Sequence, residues 1–293
     1  MNKSNSDHVA QYYDANTRRF LAMSDTGEAV AIHRKLWAPG METPEAAAAH
    51  INDLVAQAAV NALGHAPASV TDLGCGVGGS LFHLARCWPH SKLTGYTLSH
   101  AQVQIAQALA SQRQLQDQCE IKHGDFTAVD SAPCSELVIA IESHTHLPSL
   151  ADFFQAARQH VLPGGIVILV DDMLAGDGSN LTHKDMRLLD AFKRGWRMGH
   201  VPTVSQVLDQ ADTSDFEVVE HRDLGEFLRL YQPWDCTLNF IAPPLDWLGL
   251  ARIPRLANMI GGNALTVCHR RGVMRYMMMV MRFRPKKNEQ FSS

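Results

Sequence analysis

Residues 70–79 read Val70-Thr71-Asp72-Leu73-Gly74-Cys75-Gly76-Val77-Gly78-Gly79, a short apolar run that meets a glycine cluster and then a helical pattern. Glycines at 74, 76 and 78 let the backbone turn sharply and approach a ligand closely, because no Cβ stands in the way. The helix that begins there offers free N–H groups and the positive end of its dipole. A strand, a glycine turn and a helix in that order suit a nucleotide or a carboxylate. They also commit this part of the chain to an α/β sheet.

The rest of the chain continues the alternation. Residues 8–20 read as a helix, and residues 43–63 as an Ala-rich helix that opens on Thr43 and Pro44. Strands follow at 69–73, 92–97, 119–123, 137–141 and 166–170, with helices at 79–87, 99–113 and 149–161 between them. The Leu162-Pro163-Gly164-Gly165 run ends the last of these helices. Such a chain folds as a right-handed, mostly parallel sheet. After residue 174 the pattern changes. Residues 174–210 read as helical and 216–221 as a strand, 224–272 as irregular, and 273–283 as a final strand that carries Met277-Met278-Met279, one face of which packs inward. Insertions at about 174–212 and 224–272 exceed what a compact connection needs and suit a cap over a pocket. The expected architecture is one Rossmann-like domain at 43–293, preceded by an amino-terminal helical segment at 1–42.

Composition narrows the field. The chain has 293 residues, 46% hydrophobic and 19% charged, enough for a sizeable core. A formal net charge of −4 argues against a broad nucleic-acid surface. No apolar run approaches the ~18 residues of a membrane span, and the polar amino terminus does not read as a secretory leader. Six scattered cysteines without a C-x-x-C pair fit reduced thiols in a cytoplasmic protein.

Four pieces in order then resemble the class I S-adenosylmethionine-dependent methyltransferases. They are Asp72-Leu73-Gly74-Cys75-Gly76-Val77-Gly78, the run from Leu93 to Ser99 with Gln102, Gly124-Asp125-Phe126, and Leu162-Pro163-Gly164-Gly165. The resemblance implies a sheet whose last strand is antiparallel, and S-adenosylmethionine as cofactor. It assigns cofactor contacts to Asp72, Gly74, Cys75, Gly76, Thr97, Leu98, Gln102, Asp125, Phe126 and Glu142. The second strand ends in Tyr96-Thr97 where many relatives carry an acid. The Thr94-Gly95-Tyr96-Thr97-Leu98-Ser99 form with Gln102 is similar to the branch of cyclopropane fatty acid synthases, sterol C-methyltransferases and prenyl diphosphate C-methyltransferases.

That branch methylates carbon, usually an alkene. The reaction needs an aligned alkene, tolerance of a carbocation, and a base. Glu142 follows the fourth strand, where ligands of open α/β sheets bind, and is the candidate proton acceptor or cation stabiliser. The Tyr12-Tyr13 helix and the His33-Arg34 segment resemble bacterial enzymes that methylate prenyl chains, with the amino-terminal helix as a lid. The resemblance pairs Tyr12 or Tyr13 with His144 or His146, without choosing within either pair. His144 and His146 alone, with no third ligand, do not make a metal site. For a diphosphate, Arg18, Arg19, His33, Arg34, Lys193 and Arg194 are candidate contacts, with Mg²⁺ as a further expectation. Lys184 and Arg197 join that set. Candidate pocket walls are Trp37, Phe192, Trp196, Phe227, Tyr231, Trp234, Phe240 and Trp247. The expected reaction is methyl transfer to an alkene carbon of an isoprenoid, a prenyl diphosphate first among them, with deprotonation or cyclisation to follow. Methylation of oxygen or nitrogen on a small natural product is the alternative, and a silent cofactor-binding scaffold is the third. A homo-oligomer, free of nucleic acid and of integral membrane association, is the accompanying expectation.

Overall fold

A computed structural model of the chain describes residues 9–14, 16–17, 21, 27–30, 32–128, 133–231, 235–249 and 253–285. Arg18, Arg19 and Trp234 lie outside these described residues. Seven strands form one sheet in the order β3-β2-β1-β4-β5-β7-β6. They are β1 (Ser69–Leu73), β2 (Lys92–Thr97), β3 (Cys119–His123), β4 (Ser135–Ile141), β5 (Val161–Leu174), β6 (Phe216–Asp223) and β7 (Met274–Phe283). The first five run parallel, and β7 is antiparallel to both β5 and β6. Strand order reverses between β1 and β4, so the crevice at their carboxyl ends is where a ligand belongs.

Helical residues 9–14 and 16–17 form α1. The helix α2 (Pro44–Leu63) precedes β1, and α3 (Gly79–Cys87), α4 (His100–Gln112) and α5 (Leu150–His160) connect parallel strands. Local chemistry explains their ends. Thr43 caps α2 through its side chain, Pro44 occupies its first turn, and Gly64 ends it in the left-handed region. Ser99 and Ser149 cap α4 and α5 in the same way.

Alternation sorts the core. Ile166, Ile168 and Val170 of β5 face one apolar layer, with α2 and α3, while Val167 and Leu169 face the other, with α5. In β7, Tyr276 and Met278 join the first layer and Met277, Met279 and Met281 the second. Met277, Met278 and Met279 are therefore all buried, because β7 is an interior strand covered on both faces. The expectation of one inward face was too small.

Two further expectations change. β5 starts at Val161, not after the Pro-Gly-Gly run, because Ser135 pairs with Val161 and the register then shifts across a bulge that absorbs the glycines. The region after 174 is two separate helices, α6 (His183–Trp196) and α7 (Val204–Thr213). Arg197 ends α6 in the left-handed region, and both helices begin with a capping box, on Thr182 and on Thr203. The stretch expected to be irregular holds α8 (Asp235–Trp247) and α9 (Pro254–Arg270). Together α6, α8 and α9 enclose a third apolar cluster that includes Phe192, Ile260 and Leu265. Gly195 and Gly261 let α6 and α9 cross closely, since a Cβ on Gly195 would lie 2.7 Å from the Gly261 Cα.

Candidate active site

The glycine turn after β1 is built for close approach. Gly74 has φ +107°, and a Cβ there would lie 2.5 Å from the Ser143 Cβ. The Gly74 and Cys75 N–H groups both donate to the Tyr96 carbonyl, which ties the turn to β2. A cavity of about 130 Å³ opens on this turn. Asp72, Gly74, Cys75, Gly76, Thr97, Leu98, Gln102, Asp125, Phe126 and Glu142 all line it, so every residue expected to touch the cofactor is gathered there. Thr97 donates its hydroxyl to the Gln102 side-chain carbonyl at 2.6 Å, within the same wall. Burial pushes the Asp72 carboxyl up to about 7. Among the described residues no side chain hydrogen-bonds that carboxylate, so a cationic group of a ligand would complete it.

A second chamber of about 260 Å³ adjoins the first. Tyr13, Ile32, Glu142 and His146 line both. The Tyr13 hydroxyl bonds His146 Nε2 at 2.8 Å, and His146 Nδ1 lies 3.4 Å from the Arg197 carbonyl. A proton on Nδ1 fits that carbonyl and leaves Nε2 to accept from Tyr13. Burial lowers the His146 pKa, and burial likewise raises that of Tyr13. Tyr12, also in the second chamber, donates instead to the Asn258 side chain. His144 is fully buried, bonds Asp171, and lines neither cavity. Of the four possible pairs, the fold brings Tyr13 and His146 together.

Glu142 stands at φ +51°, in the left-handed region. Its Oε1 accepts from the Arg34 N–H at 2.8 Å and from the Tyr276 hydroxyl at 2.7 Å. Burial pushes its pKa up to about 7 against the opposing pull of Arg34. The Arg34 guanidinium bonds Asp172 at 2.5 Å, and His269 bonds the other oxygen of Asp172 at 2.7 Å. This network joins four distant segments of chain behind the junction of the cavities.

Several sequence candidates lie elsewhere. His33 lines the first cavity with a half-buried ring, and burial lowers its pKa to about 4, which disfavours the charge a diphosphate contact needs. Arg34 is committed to Asp172. Arg194 pairs with Asp246 on the surface, and Lys193 borders neither cavity. Neither Lys184 nor Arg197 side chains border them. Tyr231, Phe240 and Trp247 are 78%, 84% and 85% exposed, so they are not walls of this site. Trp37 stacks under Arg229, and Phe192 belongs to the cap core. Trp196 does line the second chamber and donates to the Asn258 carbonyl. Sequence reasoning missed Asp171, Asp172, Asn258 and Tyr276. Asp171 and Asp172 follow the apolar run Ile166–Val170, as Glu142 follows its own, and the strand-end argument that found Glu142 would have found them.

Residues 70–165 match the family model described as a methyltransferase domain. Fold and glycine turn together define a class I methyltransferase. Over that stretch the chain carries a methyltransferase domain, and in sequence it is similar to sterol C-methyltransferases. It is 27% identical over 230 residues to the sterol 24-C-methyltransferase erg-4 of Neurospora crassa, covering 76% of this chain and 59% of that one. The chain thus spans little more than half the length of that curated relative. The [4+2]-cyclase SpnF superposes with a TM-score of 0.71 at 22% identity, over 96% of this chain and 97% of that one. The geranyl diphosphate C-methyltransferase of Streptomyces coelicolor A3(2), solved with Mg²⁺, geranyl diphosphate and S-adenosyl-L-homocysteine, gives 0.68 at 14% identity, over 96% and 98%. Both superpositions concern the fold alone, and one of the two is named for a cyclisation.

Proposed function

We propose that the chain is a C-methyltransferase that transfers a methyl group to an alkene carbon of an isoprenoid. The observation that carries this reading is the shared wall: Tyr13, Glu142 and His146 stand between the glycine-turn cavity and a chamber partly walled by Tyr12, Trp196 and Met198. S-adenosylmethionine, when bound, supplies a methyl on a sulfonium, and the first cavity fits it through the unpartnered Asp72 carboxylate and the open glycine turn.

The chain's own residues account for the remaining needs. Alkene attack would leave a cation on the substrate carbon. Ring faces of Tyr12, Tyr13 and Trp196 and the Glu142 carboxylate are the groups that tolerate it. Loss of a proton from the neighbouring carbon restores an alkene. His146 Nε2 receives that proton by way of the Tyr13 hydroxyl, which passes its own proton on as it takes the new one. The segment before α2 acts as a lid, since α1 supplies Tyr13 and holds Ser99 through Asp14.

A prenyl diphosphate is the narrower substrate proposal. The described residues lining the second chamber include three carboxylates and neither Lys nor Arg. A diphosphate there would need Mg²⁺, and among the described residues no three His, Cys, Asp or Glu are grouped to hold a metal, so the diphosphate itself would supply much of its coordination. The Tyr13–His146 contact favours a second reading, methylation of a substrate hydroxyl, for which the same pair is a base. The test is incubation with methyl-labelled cofactor and a panel of geranyl and farnesyl diphosphates, the matching alcohols, and prenylated indoles, with and without Mg²⁺. Label in a carbon-methylated isoprenoid supports the first reading. Label solely in ethers or amines replaces it with the second.

A further inference from the structure

Asp171 has no part in the methyl and proton transfers above. It lies near the end of β5 and lines the second chamber beside Glu142 and His146. Every hydrogen bond it receives comes from behind. His144 Nδ1 donates to its Oδ2 at 2.8 Å, the Thr145 hydroxyl lies 3.4 Å from the same oxygen, and the Asp172 N–H donates to Oδ1 at 2.8 Å.

His144 is a rigid partner. Its ring is fully buried, with Phe153 edge-on at 5.6 Å and His200 edge-on at 5.3 Å. His200 is itself fixed through Nδ1 to the Leu147 carbonyl. Donation from Nδ1 sets the tautomer of His144, and its Nε2 is buried with no partner. A histidine that sacrifices a buried nitrogen to hold one carboxylate is a supporting element.

The three acids of the chamber are not alike. Asp172 is shared by Arg34 and His269. Burial has moved Glu142 up to about 7. For Asp171 burial pulls upward too, but the His144 ring, the hydrogen bonds and His146 outweigh it and hold the carboxyl below its usual range. Asp171 thus carries a carboxyl held below its usual range, in surroundings where a charge acts strongly.

We propose that Asp171 is a further cation-binding residue of the second chamber, and that His144 is the positioning residue that aims it. Positive charge developing on the substrate is steadied by this carboxylate as well as by Glu142. The inference rests on the isoprenoid reading, so its test uses binding of unreactive ligands and not turnover.

Calorimetry of the full chain with S-adenosylhomocysteine present compares N,N-dimethylgeranylammonium, a mimic of the cation, with geraniol. The wild-type chain should bind the ammonium at least about tenfold more tightly. Asp171→Asn should remove about tenfold of ammonium affinity and leave geraniol within about twofold. His144→Leu should reproduce that loss, and His144→Asn, which keeps a donor near the Nδ1 position, should restore most of it. Unchanged S-adenosylhomocysteine affinity shows that each variant is folded. Equal wild-type affinity for both ligands, or an unchanged ratio in Asp171→Asn, overturns the inference while the isoprenoid reading stands. Binding of neither ligand overturns both.

Discussion

The Tyr13 hydroxyl sits 2.8 Å from His146 Nε2, joining the amino-terminal helix to the loop after β4 across 133 residues of sequence. Both residues line both cavities. If they act as one unit, removing either breaks the same step. Tyr13→Phe and His146→Gln should each lower turnover roughly 10²- to 10³-fold, and the double variant little further. Steady-state kinetics on the four forms, with S-adenosylhomocysteine affinity as control, checks this. Multiplying losses would mean separate roles.

Glu142 is placed by its neighbours. Removing its charge in Glu142→Gln should lower turnover roughly 10²-fold or more with little change in cofactor affinity. Tyr276→Phe, which deletes one of its two donors, should cost less, roughly tenfold. Comparable loss of cofactor affinity in Glu142→Gln would make Glu142 a cofactor residue.

Asp72 gives a pH signature. Its carboxyl is raised to about 7 by burial, above the ordinary carboxylate value. Below the ordinary value both folded and unfolded chains hold the proton. As pH rises the unfolded chain releases it first, so the native state loses stability between about pH 4 and 7. Asp72→Asn removes that loss. Its melting temperature should exceed wild type at pH 8, by on the order of 2–4 kcal/mol in stability, and match it at pH 4. A cationic ligand group beside Asp72 favours the carboxylate, so S-adenosylmethionine binding at pH 7 should release roughly half a proton. Calorimetry in buffers of different ionisation enthalpy measures it, and uptake of protons would contradict the assignment.

The glycine turn and the first cavity were legible in the sequence because one short segment encodes them. Gly74, Gly76, Thr97 and Gln102 belong to two local strings, and each string occupies a strand end. The second chamber was not legible in that way. Arg34, Glu142, Asp172 and the His269–Tyr276 stretch, which form the network behind it, come from four separated segments and share no spacing. The cap was hidden for another reason. Pro243 and Pro244 in α8 and Gly261 and Gly262 in α9 are helix breakers by propensity, and tertiary packing overrides them. At Gly261 the missing side chain is what permits the crossing with α6.

The proposed lid has a structural boundary. Leu36 is fully buried in the sheet core and Arg34 neutralises Asp172, so residues 32–37 also support the core. Deleting residues 1–26 should leave a cooperatively folding chain that binds S-adenosylhomocysteine but forms no product, because Tyr13 is gone. Deleting residues 1–40 should in addition cost several degrees of melting temperature. Full activity of the shorter deletion would discard the lid.

Gly74→Ala tests the turn itself. The added Cβ meets Ser143 at 2.5 Å, in a backbone conformation that L side chains rarely adopt. The variant should lose cofactor binding by roughly 10²-fold, and Gly64→Ala, at an open helix end, should leave it unchanged.

The most direct measurement is a crystal structure of the chain soaked with S-adenosylhomocysteine. Density should fill the cavity over Gly74 and Gly76, with the amino group at Asp72 and the sulfur facing Tyr13, Glu142 and His146. A ligand bound elsewhere, or one whose sulfur faces away from that wall, would contradict the central claim.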